Sequence, residues 1–200
     1  MNTKKGFTLL ELLIVIGILA ILSTTIVLVI NPAELLRKAR DSQRISDLNT
    51  VKTAIAYYVT ETSSPSIGSL STSQTYSDVA SVDCGGTSPS TTTAQSTDGT
   101  GWIPVDFSGM TGGSPIAALP TDPNKSDSTG VYYYVYLVGS ATDYTFKLVA
   151  NLESTYYGNT GDGDVESTDG GVNINLYEVG TDMDIAITVG TNCYNGQTAS

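Results

Sequence analysis

The sequence predicts an α+β chain: a long N-terminal helix, apolar in its first half and amphipathic in its second, packed on a small antiparallel C-terminal sheet. Three observations carry that expectation. Residues 7–30 hold 18 apolar residues in 24, and Glu11 is the only ionisable side chain among them. Apolar side chains then recur at Leu48, Val51, Ile55 and Tyr58, the spacing of one helix face. Further on, Val131–Val138 and Tyr144–Leu152 are β-branched and aromatic runs separated by Gly139-Ser140, the pattern of a hairpin.

Composition narrows the function. The chain has 200 residues, 20 acids, 9 bases and no histidine, a net charge of −11. Lacking histidine, it has neither the usual general base, nor a Ser-His-Asp triad, nor a His-liganded zinc site. An acidic chain is a poor match for nucleic acid, whose phosphates are neutralised by Lys and Arg, so direct nucleic-acid binding is not expected. With 40% apolar and only 14% charged residues the chain can fold. A non-enzymatic role is therefore expected.

The first element is the apolar segment. At about 1.5 Å per residue its 24 residues reach about 36 Å, enough to cross a bilayer core. Lys4 and Lys5 precede it with no acid before them, which places the N-terminus in the cytoplasm and everything after Ile30 outside. A cleaved secretory signal fits poorly: the run is too long, and Leu22-Ser23-Thr24 is a weak site. A plain signal anchor explains the span but leaves Glu11 without a reason, although a carboxylate inside a membrane is costly.

Lys4-Lys5-Gly6-Phe7-Thr8-Leu9-Leu10-Glu11-Leu12 resembles the type III signal of type IV pilins and type II secretion pseudopilins. The resemblance covers the basic leader, the Gly, the Phe, the Glu at its distance, and the uninterrupted span behind them. It implies cleavage by a prepilin peptidase between Gly6 and Phe7, N-methylation of Phe7, and an assembly role for Glu11. Cleavage leaves an ammonium group on Phe7, four residues before that carboxylate. In a bundle of such helices one subunit's Glu11 would neutralise a neighbour's Phe7, since either charge alone in hydrocarbon is expensive. A carboxylate that only reaches up to the interface is the plainer alternative.

Asn31-Pro32-Ala33-Glu34 reads as a helix start, with Asn as cap and Pro in the first turn. Coming directly after an apolar helix, it predicts one long helix with a kink or loosened turn at Asn31. Over residues 31–60 the face opposite the apolar stripe carries Arg37, Arg40, Arg44, Asp47 and Lys52. These are expected either on a solvated face or against acidic neighbours or lipid headgroups. The run Ala39–Leu48 also resembles the helix that follows the membrane segment in pseudopilin-like proteins.

Residues 60–100 hold 21 Ser or Thr in 41 positions, a loop composition, so residues 61–118 are expected as a variable loop region. Cys84 lies there and Cys193 near the C-terminus; two cysteines in an exported domain suggest one disulfide, with two free thiols as the alternative. Residues 119–200 are expected as the sheet domain, with further strands at Asn173–Tyr177 and Ile185–Val189. Leu119-Pro120-Thr121-Asp122-Pro123, the Tyr-rich run after it and the strand ending at Leu152-Glu153 resemble the globular part of major pseudopilins.

The acidic loop 159–171 is the one candidate metal site. Asp162, Asp164 and Asp169 alternate with glycines, the kind of flexible oxygen donors that calcium takes, although no EF-hand is completed. The resemblance adds weight, because major pseudopilins bind calcium in a loop at about this place. Asp122, Asn124 and Asp127 form a weaker second set. No other cofactor is implied.

The expectation is a prepilin-like precursor with a leader at 1–6, a filament-core helix at 7–30 and an exported remainder. Its partners would be identical and related pilin subunits, the prepilin peptidase, an assembly ATPase with its membrane platform, and lipid before assembly. It would rest in the cytoplasmic membrane before joining a cell-surface or periplasmic filament. Within that class, a secretion pseudopilus and a pilus for adhesion, motility or DNA uptake both remain open. The rival from another class is a membrane-anchored extracellular binding domain that uses a pilin-like signal.

Overall fold

The computed structural model describes residues 6–68, 75–78, 93–124, 132–140, 142–187 and 193–194. The chain divides into two compact units, Met1–Arg37 and Lys38–Ser200.

In the first unit, α1 runs Leu9–Ile30. Thr24 and Thr25 donate their hydroxyls to the carbonyls of Ala20 and Ile21, at 2.6 and 3.0 Å, so neither leaves an open hydroxyl on an apolar surface. The helix ends at Asn31, in the left-handed region with φ 43° and ψ 76°. A second helix, α2, then runs Pro32–Glu61. The expected kink in one long helix is therefore a one-residue break. Pro32 has no N–H to continue the ladder, Asn tolerates the left-handed turn, and the Asn31 carbonyl accepts from Leu35 N at 3.2 Å to start α2.

The second unit is built on the remainder of α2. Its buried residues are Asp41, Arg44, Leu48, Val51, Ala54, Ile55 and Tyr58, a continuous stripe at three- and four-residue steps. Four antiparallel strands follow in spatial order β1-β2-β3-β4: Thr75–Ser77, Tyr134–Ser140, Thr145–Ala150 and Tyr177–Gly180. β2 and β3 form the expected hairpin, with Tyr136 opposite Leu148 and Tyr134 opposite Ala150. Tyr134, Tyr136, Val138, Phe146, Leu148 and Ala150 share one core with the helix stripe.

Three expectations are corrected. First, residues 185–187 form no strand, and the sheet is buried on both faces. Tyr133, Val135, Leu137 and Val149 pack with Leu176, Cys193 and Tyr194, and Ile185 and Ile187 lie against them. The segment expected as a strand from Ile185 covers the sheet instead of extending it, and Thr188 and Val189 lie outside the described residues. Second, Asn173–Leu176 is a turn, and its strand begins only at Tyr177. Asn175 N donates to Asn173 Oδ1 at 3.0 Å, a local bond that competes with the ladder. Third, part of the expected loop region is core: Trp102, Ile103, Val105, Phe107 and Met110 are buried without forming a strand. Trp102 N donates to Ala94 O and Leu119 N to Gln95 O, both at 2.8 Å, folding this segment back on itself. Gly101 is needed there, because a Cβ would overlap the Ser96 carbonyl oxygen.

Candidate functional site

The N-terminal signal is laid out by a helix cap. Thr8 is the N-cap of α1, and its hydroxyl accepts from Glu11 N at 3.2 Å. The Glu11 carboxylate reaches back and accepts from Thr8 N and from the Thr8 hydroxyl, each at 2.9 Å. This reciprocal box stops the helix at Leu9. Gly6 and Phe7 are left outside the helix and exposed, with nothing within 4 Å of a Cβ built on Gly6. The scissile position implied by the resemblance is thus an accessible, non-helical peptide. Glu11 has a local partner in the single chain.

The basic residues of α2 are arranged differently from the expected outward face. Arg44 is wholly buried. Its Nε and Nη2 donate to the two Asp122 oxygens at 2.7 and 2.9 Å, and its Nη1 donates to Asp41 at 2.7 Å. Nη2 also meets Glu153, and Tyr132 stacks on the guanidinium with its ring centre 5.0 Å away. Arg40 Nε donates to Glu153 at 2.8 Å. Asp41 in turn accepts from Glu153 N and Ser154 N at 2.9 and 2.7 Å. Burial alone would lower the Arg44 pKa, but the bonds to Asp122 and Glu153 outweigh it and raise it. Glu153 is held below the usual range by Arg40 and Arg44 despite its burial. Asp47, also expected outward, accepts from the Tyr134 hydroxyl at 2.9 Å. Arg37 keeps to the surface pattern, 3.6 Å from Glu34, and Lys52 is half-buried without entering the cluster. A second buried pair joins β3 to β4, Lys147 to Glu178 at 2.6 Å.

Periodicity did not find this cluster, because Asp41 and Arg44 continue the apolar stripe in position but not in chemistry. The signal was present: both lie at helical spacing from Leu48, Asp122 counted as a site residue only in the weaker metal set, and Glu153 had no role of its own.

The acidic loop does not gather its carboxylates. Asp164 accepts from Ser167 N, the Ser167 hydroxyl and Thr160 N, at 2.6–3.0 Å, and is held below the usual range by the Ser167 bonds. Asp169 accepts from Glu178 N at 2.6 Å and Gly171 N at 2.7 Å. Glu166 accepts from Asn159 N at 2.9 Å. Burial pushes Glu166 up to about 7 and Asp169 up to about 6. Among the described residues no group of three His, Cys, Asp or Glu side chains is placed to hold a metal ion. Asp164 and Asp169 of the expected calcium set already satisfy backbone groups in and beside the loop. Asp122 of the weaker set is taken by Arg44, and Asp127 lies outside the described residues. Cys193 is buried and disulfide-bonded; Cys84 lies outside the described residues.

Residues 1–27 match the family of the prokaryotic N-terminal methylation motif. No curated protein and no solved structure matches the chain.

Proposed function

Starting from the prepilin signal at residues 1–27, we propose that the mature chain, beginning at Phe7, is a structural subunit of a type IV pilus-like or pseudopilus filament. The observation that carries this reading is that motif, followed by an apolar helix with no side-chain cover of its own. Among the described residues of α1, every one is exposed. Such a surface needs lipid before assembly and neighbouring helices afterwards. A prepilin peptidase would cut on the cytoplasmic side and methylate Phe7. The helix would then leave the membrane for the filament core, moving between two water-poor surroundings. The Phe7 ammonium would be matched by a neighbour's Glu11. Energy for extraction must come from a separate ATPase, since the sequence has no phosphate-binding loop.

The second unit would form the exported surface. It contains buried ion pairs that hold the fold, and the role supported is structural. The test is electron microscopy of sheared surface material with mass spectrometry of the N-terminus. Filaments whose subunits begin at methylated Phe7 are expected; a chain that keeps Met1–Gly6 at the surface would refute the reading.

A further inference from the structure

β3 and β4 each turn one charged side chain to the second face of the sheet. Phe146, Leu148, Tyr177 and Val179 face the helix core, so strand alternation sends Lys147 and Glu178 the other way. Leu137 lies opposite Lys147 and Val149 opposite Glu178, both in the apolar layer on that face. Both charged side chains are fully enclosed. Lys147 Nζ donates to Glu178 Oε1 at 2.6 Å and to Met183 O at 3.3 Å. Glu178 Oε2 accepts from Asn173 N at 2.9 Å. Glu178 N donates to Asp169 at 2.6 Å, which holds the strand at that residue. Gly171 closes one side of the pair, since a Cβ there would overlap the Glu178 carboxylate.

An amine enclosed with a carboxyl group has a reaction open to it besides ion pairing. Well-oriented groups within one molecule react at effective concentrations of up to about 10⁵–10⁸ M. Burial removes the hydration that favours separated ions in water, whereas an amide is neutral and carries no charge to desolvate. Asn173 N–H sits on the oxygen that gains negative charge when the carboxyl carbon is attacked, the place of an oxyanion donor. The Arg44 cluster has no such reaction, because a guanidinium keeps its proton.

We propose that Lys147 and Glu178 condense to an intramolecular amide that staples β4 to β3. One proton passes from the Lys147 ammonium to Glu178 Oε1, leaving a neutral amine and a neutral acid. The amine lone pair attacks Cδ and forms the N–C bond, while negative charge moves onto Oε2 beside Asn173 N. A second proton passes from the nitrogen to Oε1, the Cδ–Oε1 bond breaks, and water leaves. The third hydrogen stays on the amide nitrogen, and nothing is oxidised or reduced. The product ties a four-residue edge strand covalently to its neighbour.

The test needs only the wild-type chain in detergent, at whichever N-terminus it carries. Its intact mass should fall short of the sequence mass by one water, beyond the two hydrogens of the disulfide. After denaturation, trypsin should leave the bond following Lys147 uncut. A protease that cuts after aromatic residues should release the segments around Lys147 and Glu178 as one branched peptide. Lys147→Arg keeps a cation beside Glu178 but forms no amide, so it should regain the missing water. A wild-type chain of full mass that trypsin cuts after Lys147 holds an ordinary ion pair, and the proposal fails. A missing water that persists in Lys147→Arg lies elsewhere in the chain and also overturns it. Neither result bears on assembly, so the filament reading stands or falls separately.

Discussion

Gly6 and Glu11 separate two steps that the short N-terminal signal combines. Gly6 is exposed and open around its Cα, so Gly6→Ala disturbs no packing. If processing depends on this residue, the variant stays at precursor size on electrophoresis with Met1–Gly6 retained. In the proposed reading Glu11 would act after cleavage. Glu11→Ala removes the carboxylate half of the cap box but keeps the Thr8 half, which leaves the scissile peptide outside the helix. Processing should therefore proceed, while incorporation beside wild-type subunits falls; equal incorporation in co-expression would remove the pairing role. The local sequence carried these positions because cleavage and capping depend on residues within a few places of one another. The Glu11 cap itself was legible in Thr8-x-x-Glu11, yet a search for membrane charge looks past it.

At the scale of elements, α2 is tied to the rest of its unit by charge as well as by apolar packing. Arg44 lies among Asp41, Asp122 and Glu153, each wholly or largely buried. Arg44→Ala leaves those carboxylates uncompensated, and the expected loss is about 3–5 kcal/mol, or a melting temperature lower by roughly 10 °C. Arg37→Ala, at an exposed pair, should change stability by less than about 1 kcal/mol. Thermal unfolding of the two variants in detergent distinguishes them. The acidic loop gives the opposite pH response. Glu166 near 7 and Asp169 near 6 bind protons more tightly folded than unfolded. Their contribution is complete below the ordinary carboxylate range and is lost as pH rises through about 6 to 7. The melting temperature should therefore rise as pH falls from 8 towards 5, and Glu166→Gln should flatten much of that slope. Below that range the protonation of Glu153, whose pKa is lowered, works the other way. The hairpin and the apolar stripe were legible because periodicity reports which side of an element is buried. The ion cluster was not, because Asp122 and Glu153 reach Arg44 from 78 and 109 residues away.

For the whole molecule, the proposed filament raises the question of how acidic subunits would tolerate one another. Removing Met1–Gly6 takes away Lys4 and Lys5, leaving 7 bases against 20 acids. Of those bases, Arg40, Arg44 and Lys147 are consumed by internal carboxylates, so they do not serve to attract a neighbour. Filaments should then be steadier when salt screens the outside. Screening lengths shrink from about 30 Å at 0.01 M to about 8 Å at 0.15 M. Sedimentation of sheared filaments should show more free subunit at the lower salt; indifference to salt would mean that the acids are already neutralised in the assembly. The sequence by itself determined the signal, the apolar helix, the buried stripe of α2 and the central hairpin, since each follows from neighbouring residues and one repeating geometry. It took the folded chain to bring Arg40 and Arg44 onto internal carboxylates, to bind the acidic loop to its own backbone, to bury residues within 102–110 in the core and to lay Ile185, Ile187 and Tyr194 over the second face of the sheet. Those outcomes depend on which distant groups meet after folding. A charge can be buried once its partners arrive, and composition alone does not say that they will.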